Sequence, residues 1–396
     1  MNPTPRLKPF SGPALLSYGF RPFFLLGAAY AGLGIVIWLP MFFGEFAMPT
    51  AFSPLDWHIH EMLYGYLPAV ITGFLLTAIP NWTGRLPLQG GSLAGLVTVW
   101  IAGRIAVSIS AVIGPLTSAT VDVLFLLLVA SATGREVIAG RNWRNLPAIF
   151  IVLIFLAGNV IFHVEDYATG NAEFSARLGI AAVVMLIALI GGRVIPSFTR
   201  NWLARENPGR LPAPFGRFDQ AVLLVSVIAM VSWVANPAWI GTAALMLFAG
   251  AAQTLRIARW AGHRTWPDRL VLILHIGYAF VPLGFVMLAA HVFVPRFISI
   301  SAAMHAWTTG AVGTMTLAIM TRASLGHTGH VLAAGALTHG IYAAVVMAAV
   351  LRIAAAVLPD ATTVLLQAAG AAWVAAFWMF AAGYGPLLLR SRRIGT

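Results

Sequence analysis

The sequence predicts an all-α polytopic membrane protein with about twelve transmembrane helices. Of its 396 residues, 60% are hydrophobic and only 9% are charged, and the mean hydropathy of +0.86 is far above that of ordinary globular domains. The apolar residues form segments of about 20 residues, the length that crosses the hydrocarbon core of a bilayer. Because the connecting loops leave no room for a folded soluble domain, residues 1–396 are predicted to form a single transmembrane domain in the lipid bilayer.

Twelve apolar segments follow one another along the chain. The first continues well past the length of a signal peptide without a small-residue cleavage site, so we expect it to be retained as a helix. The segments lie near residues 20–43, 57–79, 92–112, 117–139, 145–165, 174–196, 218–236, 238–260, 268–292, 299–321, 331–357 and 361–389.

The distribution of charge predicts the orientation. Sorting the loops places 20 of the 24 Lys and Arg residues on one side of the membrane, which predicts that both termini are cytoplasmic. Arg104 and Arg352 fall inside or near predicted spans, where snorkelling or an ion pair within the bundle is favoured over a functional charge. The opposite side collects the acidic residues Glu45, Asp56, Glu165, Asp166, Glu173 and Asp360.

The composition also excludes some functions. The formal net charge is +12, but the basic residues lie between apolar segments and form no basic face with interleaved aromatics, so we expect no nucleic-acid partner. The chain has no cysteine, which excludes disulfides, thiolate metal sites and covalently attached c-type haem. Any metal must therefore be bound by histidine, methionine, tyrosine or carboxylate, and the ten histidines are the main supply.

The start of the second helix carries the strongest local signal. Ser53 as N-cap, Pro54 at the first helical position and Asp56 in the first turn are typical of a helix start. This start places His58 and His60 roughly 8 and 10 Å below the extracytoplasmic end of the helix. Their spacing turns them about 200° apart, so a regular helix cannot direct both at one small ion.

A second histidine lies at the same predicted depth. His305, counted from a helix start at Ser299, is roughly 9 Å from the same side of the membrane. Two imidazoles in one layer are what a b-type haem with two histidine ligands requires, so His305 is predicted to pair with His58 or, preferably, His60. Glu61 follows within the same turn and is expected to fix the tautomer of His58. The alternative is a polar cluster at a helix start.

The remaining histidines are weaker candidates. His275 lies roughly 9 Å from the cytoplasmic end of the ninth helix, so it cannot lie at the depth predicted for His60 and His305 near the opposite side. His163 and His291 lie near helix ends, where interfacial polar residues are common. His327 belongs to a polar, glycine-punctuated cytoplasmic turn that suits either copper binding or contact with headgroups.

A weak repeat relates the ends of the second, sixth and tenth helices. Similar sequences surround Pro80, Pro196 and Met320. About four helices lie between Pro80 and Pro196, and about four between Pro196 and Met320. Three four-helix units would explain this spacing, and chance similarity among apolar helix ends explains it nearly as well.

Long stretches of the sequence carry a family resemblance that extends along nearly the whole chain. They are residues 19–24, 57–62, 73–85, 142–147, 193–196 and 199–202, together with His305 and residues 310–329. On these stretches the sequence resembles the NnrS family of bacterial membrane proteins. The resemblance implies a haem- and copper-containing protein of the bacterial inner membrane that acts in nitric oxide metabolism and resistance to nitrosative stress.

The resemblance also implies candidate ligands for haem b and copper. It carries over to His58, His60, His305 and His327, with His275 matching less distinctively. Residues 306–309, which follow His305, are bulkier than the residues expected in the family, and this affects the shape of the local pocket. With histidines on the second and tenth helices, the chain is also similar to the catalytic subunit of haem-copper oxidases. The sixth and seventh helices contain no histidine, so the copper site of that subunit cannot be transferred.

Two other functions remain as alternatives. A twelve-helix transporter has the same layout, although no repeat of two halves is evident. A quinol-linked enzyme similar to nitric oxide reductases is the second alternative, but we identify no dedicated quinol site or proton channel, and the sequence leaves catalysis open. The expected partners are nitric oxide or a related small molecule, and a quinol or another electron donor.

Overall fold

A computed structural model describes residues 10–391 of the protein. Within this range every regular element is helical and no strand occurs. The prediction of an all-α polytopic membrane protein is therefore confirmed. In this described part of the chain, eleven helices are long and apolar enough to cross a membrane by the criteria of length and composition.

Twelve long helical segments, here called α1 to α12, follow the predicted order. Segment α10 consists of three consecutive pieces, Ile300–His305, Ala306–Gly313 and Thr314–Thr328, and so adds a twelfth helical segment to the eleven. The segments are α1 Phe20–Phe42, α2 Pro54–Thr83, α3 Gly90–Ser108, α4 Pro115–Ala139, α5 Leu146–Thr169, α6 Glu173–Glu206, α7 Arg217–Ala235, α8 Ile240–Ala258, α9 Arg269–Phe293, α10 300–328, α11 Ala336–Ala355 and α12 Thr362–Leu389.

The helices carry apolar residues outward and ionisable residues inward. Leu116, Phe150 and Val231 are among the large hydrophobic residues that are exposed, whereas Arg104 and Asp122 are buried. This arrangement reverses the pattern of a water-soluble protein and is the one that lipid requires, because a charged group costs least where it pairs inside the bundle.

The chain folds into two compact units. Unit 1 contains residues 10–179, 323–330 and 380–391 of the described chain, and unit 2 contains Ile180–Arg322 and Val331–Met379. Residues of α6, α10 and α12 contribute to both units. The single transmembrane domain and the three four-helix repeats stay predictions.

Arg21 joins the two ends of the chain within unit 1. It lies at the start of α1 and is buried, and its Nη1 donates hydrogen bonds to the carbonyls of Leu388 at 2.8 Å and Arg390 at 2.6 Å. The beginning of α1 and the end of α12 therefore reach the same face of the unit. Because an even number of crossings returns the chain to its starting side, this contact supports twelve crossings over eleven.

The side on which the termini lie stays a prediction. The first nine residues and the last five lie outside the described residues, and they include four of the basic residues that predict cytoplasmic termini, namely Arg6, Lys8, Arg392 and Arg393.

Cysteine labelling will test this orientation, because the natural chain has no cysteine. Trp143 and Tyr167 are exposed residues that lie just before α5 and near its end, 59% and 77% exposed respectively. We expect Tyr167→Cys to react with a membrane-impermeant maleimide in intact cells, and Trp143→Cys to react only after the membrane is opened. Labelling of Trp143→Cys alone in intact cells would reverse the predicted orientation.

Candidate metal centre

The start of α2 has the predicted cap and then departs from a regular helix. The Ser53 Oγ accepts a hydrogen bond from the Asp56 backbone N–H at 3.1 Å, which confirms the predicted N-cap. The first α-helical stretch ends at His60, and a π-helical segment, Glu61–Tyr66, follows directly. Segments of π-helix are rare in proteins, and those that occur are often found at functional sites.

His58 and His60 lie in different surroundings, as their spacing predicts. His60 is fully buried. His58 is half-buried, and its ring stacks on Trp38 with 4.0 Å between ring centroids.

Segment α10 repeats the local design of α2. The Ser299 Oγ accepts a hydrogen bond from the Ala302 N–H at 3.1 Å, the α-helical stretch ends at His305, and the π-helical segment Ala306–Gly313 begins at the next residue. The His305 Nδ1 lies 2.7 Å from the Ser301 carbonyl oxygen. Since a carbonyl only accepts, Nδ1 carries a proton, and in the neutral imidazole Nε2 then carries the lone pair. Metal-binding histidines are commonly held in this way.

His60 is held by oxygen atoms at both ring nitrogens. Its Nδ1 lies 2.9 Å from Glu61 Oε1, and its Nε2 lies 3.1 Å from Asn159 Oδ1 and 3.2 Å from Asp122 Oδ2. All three oxygens accept hydrogen bonds. The ring therefore either carries a proton on both nitrogens or gives up one proton to bind a metal ion.

Asp122 joins three helices. Its Oδ2 accepts hydrogen bonds from Asn159 Nδ2 at 2.9 Å and from His163 Nε2 at 3.0 Å. Asn159 and His163 are four residues apart on α5 and so present one face to α4. His60 of α2 meets the same carboxylate, which is itself only 1% exposed.

Arg104 of α3 pairs with both acidic residues of the cluster. Its Nη1 donates to Glu61 Oε1 at 2.6 Å and its Nη2 donates to Asp122 Oδ1. The guanidinium passes over Gly65, where any side chain would collide with it. The Tyr30 hydroxyl completes the cluster by donating to the second oxygen of Glu61.

The fixed charges of this cluster do not balance. One guanidinium faces two carboxylates, which leaves one negative charge in a part of the protein that is almost fully buried. A buried charge is costly unless a partner compensates it. The missing positive charge must be a proton shared with histidine or a bound cation.

The spacing of the ligand atoms suits a metal ion. One ligand atom each from His60, Asp122 and His163 lies within 4.8 Å of the other two. The two nitrogen-to-carboxylate distances, 3.2 and 3.0 Å, match the roughly 3.0–3.4 Å between neighbouring ligands around an ion with bonds of about 2.0–2.2 Å. Two imidazoles and a carboxylate are ligands typical of copper, zinc and iron.

A comparison with known protein families identifies the family of the chain. Residues 14–392, nearly the whole chain, match the family described as NnrS protein. The chain belongs to the NnrS family. No curated protein matches the sequence. Membership confirms the resemblance seen in the sequence and agrees with a multi-pass membrane protein.

The other predicted ligands of this NnrS-family protein lie outside the cluster. In unit 2, the Nε2 of His275 lies 2.8 Å from the Thr199 hydroxyl oxygen, and its buried Nδ1 has no hydrogen-bond partner. His327 is exposed in unit 1, with its ring 5.4 Å from that of Phe20. Within residues 10–391, the His60 cluster is the one group of three metal-type ligands. The pairing of His60 with His305 on one haem stays a prediction.

The sequence identified part of this cluster. The sequence favours either snorkelling or an ion pair for Arg104, and the structure shows ion pairs with Glu61 and Asp122. Asp122 and Asn159 were missed, and His163 was interpreted as an interfacial residue. The sequence does contain a signal for these residues. Asp122 is an isolated aspartate in one apolar span, and Asn159 and His163 lie four positions apart in another. Ionisable residues within a membrane span are commonly functional.

Proposed function

We propose that this NnrS-family protein is a haem- and copper-binding protein of the bacterial inner membrane that takes part in the response to nitric oxide and in resistance to nitrosative stress. The buried group of His60, Asp122 and His163 is the observation that carries the proposal, because it combines metal-type ligands and metal-like spacing with one more carboxylate than guanidinium. Nitric oxide or a related small molecule is the proposed partner, with a quinol or another donor supplying electrons.

Copper fits the cluster in unit 1. His60 and His163 would supply nitrogen and Asp122 oxygen, while Glu61 would orient the ring of His60 through its Nδ1. The positive charge of the ion would offset the excess negative charge. When bound, copper and haem iron supply one-electron chemistry and affinity for diatomic gases.

Haem b fits His305 better than it fits His60. The hydrogen bond to the Ser301 carbonyl fixes the tautomer of His305 that can coordinate iron through Nε2. His60 has both nitrogens engaged, and its ring is packed by Phe52 and Phe162 at 5.2 Å. These surroundings favour a small ion at His60. A non-covalent b-type haem agrees with the absence of cysteine.

Haem and copper analysis of the purified protein tests the proposal. We expect His305→Ala to lose most of its haem in a pyridine haemochrome assay and to retain copper, because the substitution removes the imidazole that would hold the haem iron and leaves the unit 1 cluster intact. His339→Ala is the matched control, since His339 is exposed on α11. The reduced wild-type protein should also change its haem spectrum when nitric oxide is added.

Two results would contradict this proposal. A wild-type protein purified without either cofactor, and unable to take them up, would exclude a haem and copper function. Full haem occupancy with an unchanged spectrum in His305→Ala would exclude this ligand.

A further inference from the structure

A cavity of about 180 Å³ lies in unit 1 beside the metal centre. Its lining includes Phe52 before α2, Ser118 of α4, and His163, Asp166 and Tyr167 of α5. Tyr167 is exposed, so the cavity reaches the surface at this end of α5. A water molecule takes up about 30 Å³ of liquid, so the cavity has room for several waters or a partly hydrated ion.

His163 connects the cavity to the metal centre. Its side chain lines the cavity, and its Nε2 lies 3.0 Å from Asp122 Oδ2. An ion that enters the cavity therefore meets one of the three ligand residues directly. His163 is therefore shared by the cavity lining and the metal centre.

The lining of the cavity includes one carboxylate and one buried hydroxyl group without a hydrogen-bond partner. Asp166 supplies a carboxylate, and no lysine or arginine is among the lining residues. Ser118 is 1% exposed, and its Oγ has no hydrogen-bond partner. A buried hydroxyl without a partner is costly, and a water molecule or a cation in the cavity would satisfy it. A carboxylate in the lining of a cavity also raises the local concentration of cations.

We propose that this cavity is the port through which a transition-metal cation from the solvent at the Tyr167 end of α5 reaches the metal centre. Asp166 attracts the hydrated ion, the Ser118 hydroxyl replaces part of its water, and His163 is the first nitrogen ligand that it meets. This inference rests on the proposed metal centre and adds its route of loading.

The rate of copper uptake by the purified full-length apoprotein tests this route. Cu(II) alone is mixed with the protein, and the bound ion is followed by rapid freeze-quench electron paramagnetic resonance. We expect Asp166→Asn and Ser118→Leu to slow uptake roughly fivefold or more, because one removes the attracting charge and the other fills the cavity. The final spectrum and stoichiometry should equal those of the wild type. Glu173→Gln is the matched control, since it removes an exposed acidic group of the same unit outside the cavity.

A second variant guards against misfolding of the leucine substitution. Tyr167→Cys modified with a bulky methanethiosulfonate should take up Cu(II) slowly, whereas the same variant modified with the small methyl methanethiosulfonate should take it up at the wild-type rate. Because the natural chain has no cysteine, the label attaches only there.

The outcomes separate the two proposals. Wild-type rates in Asp166→Asn, Ser118→Leu and the cysteine variant with the bulky label, with copper still lost in His163→Ala, would overturn the port and leave the metal centre standing. A wild-type protein whose copper uptake equals that of His163→Ala would overturn the metal centre and the port together.

Discussion

Replacement of Arg104 by glutamine should destabilise the protein more than any other single change of charge in unit 1. Arg104 is buried and contacts both Glu61 and Asp122. Without it, two carboxylates would remain in a low-dielectric interior with only histidine to compensate them. Breaking a buried ion pair by removing one partner typically costs about 3–5 kcal/mol. The expected result is a clear fall in the thermal unfolding midpoint of the solubilised protein.

Two further variants make this prediction specific. Arg135→Gln is the control, because Arg135 belongs to an ion pair whose arginine side chain is 70% exposed, and such pairs contribute little. The double variant Arg104→Gln with Glu61→Gln has the same net charge in the cluster as the wild type, so it should recover part of the lost stability. If Arg104→Gln had the same thermal unfolding midpoint as Arg135→Gln, the ion pairs of Arg104 would not be what stabilises the cluster.

Replacement of Asp122 by asparagine should abolish copper binding and leave haem in place. The side chain keeps its size but loses the charge and the carboxylate oxygen that two histidines share. Since loss of a residue that merely orients a ligand weakens metal binding by about 10–100-fold, loss of a direct ligand should weaken it by at least about 100-fold. Elemental analysis of the purified variants measures this effect.

His291→Ala provides the comparison for the copper prediction. His291 lies near the end of α9 in unit 2, where its Nδ1 contacts the Ile298 carbonyl oxygen at 2.8 Å. Removing this imidazole should leave the copper content unchanged. Equal copper content in Asp122→Asn and the wild type would exclude Asp122 as a ligand.

The helices were predictable from sequence because their signals are local. Hydropathy identified all twelve apolar segments, and Ser53, Pro54 and Asp56 fixed the start of α2 within one residue. The same reasoning selected His60 and His305, the two histidines that lie directly before a π-helical segment. The π-helical segments themselves were not predicted, since hydropathy does not distinguish π-helix from α-helix.

The partners within the cluster were not predictable, because they depend on how four helices pack. The sequence gives no means of aligning Asp122 on α4 with His60 on α2 or with His163 on α5. Arg21 illustrates the same difficulty. As a basic residue near a helix start it was counted among the orientation determinants, but the structure shows it buried and bonded to the end of α12, 366 or more residues away in sequence.

X-ray absorption at the copper edge tests the central claim most directly, because it reports the ligands of the metal. Copper in the wild-type protein should show two imidazole nitrogens and one carboxylate oxygen at about 2.0–2.2 Å. In any copper retained by His163→Ala, one imidazole contribution should be missing. A copper spectrum that is identical in the wild type and in His60→Ala, His163→Ala and Asp122→Asn would contradict a metal centre at this cluster.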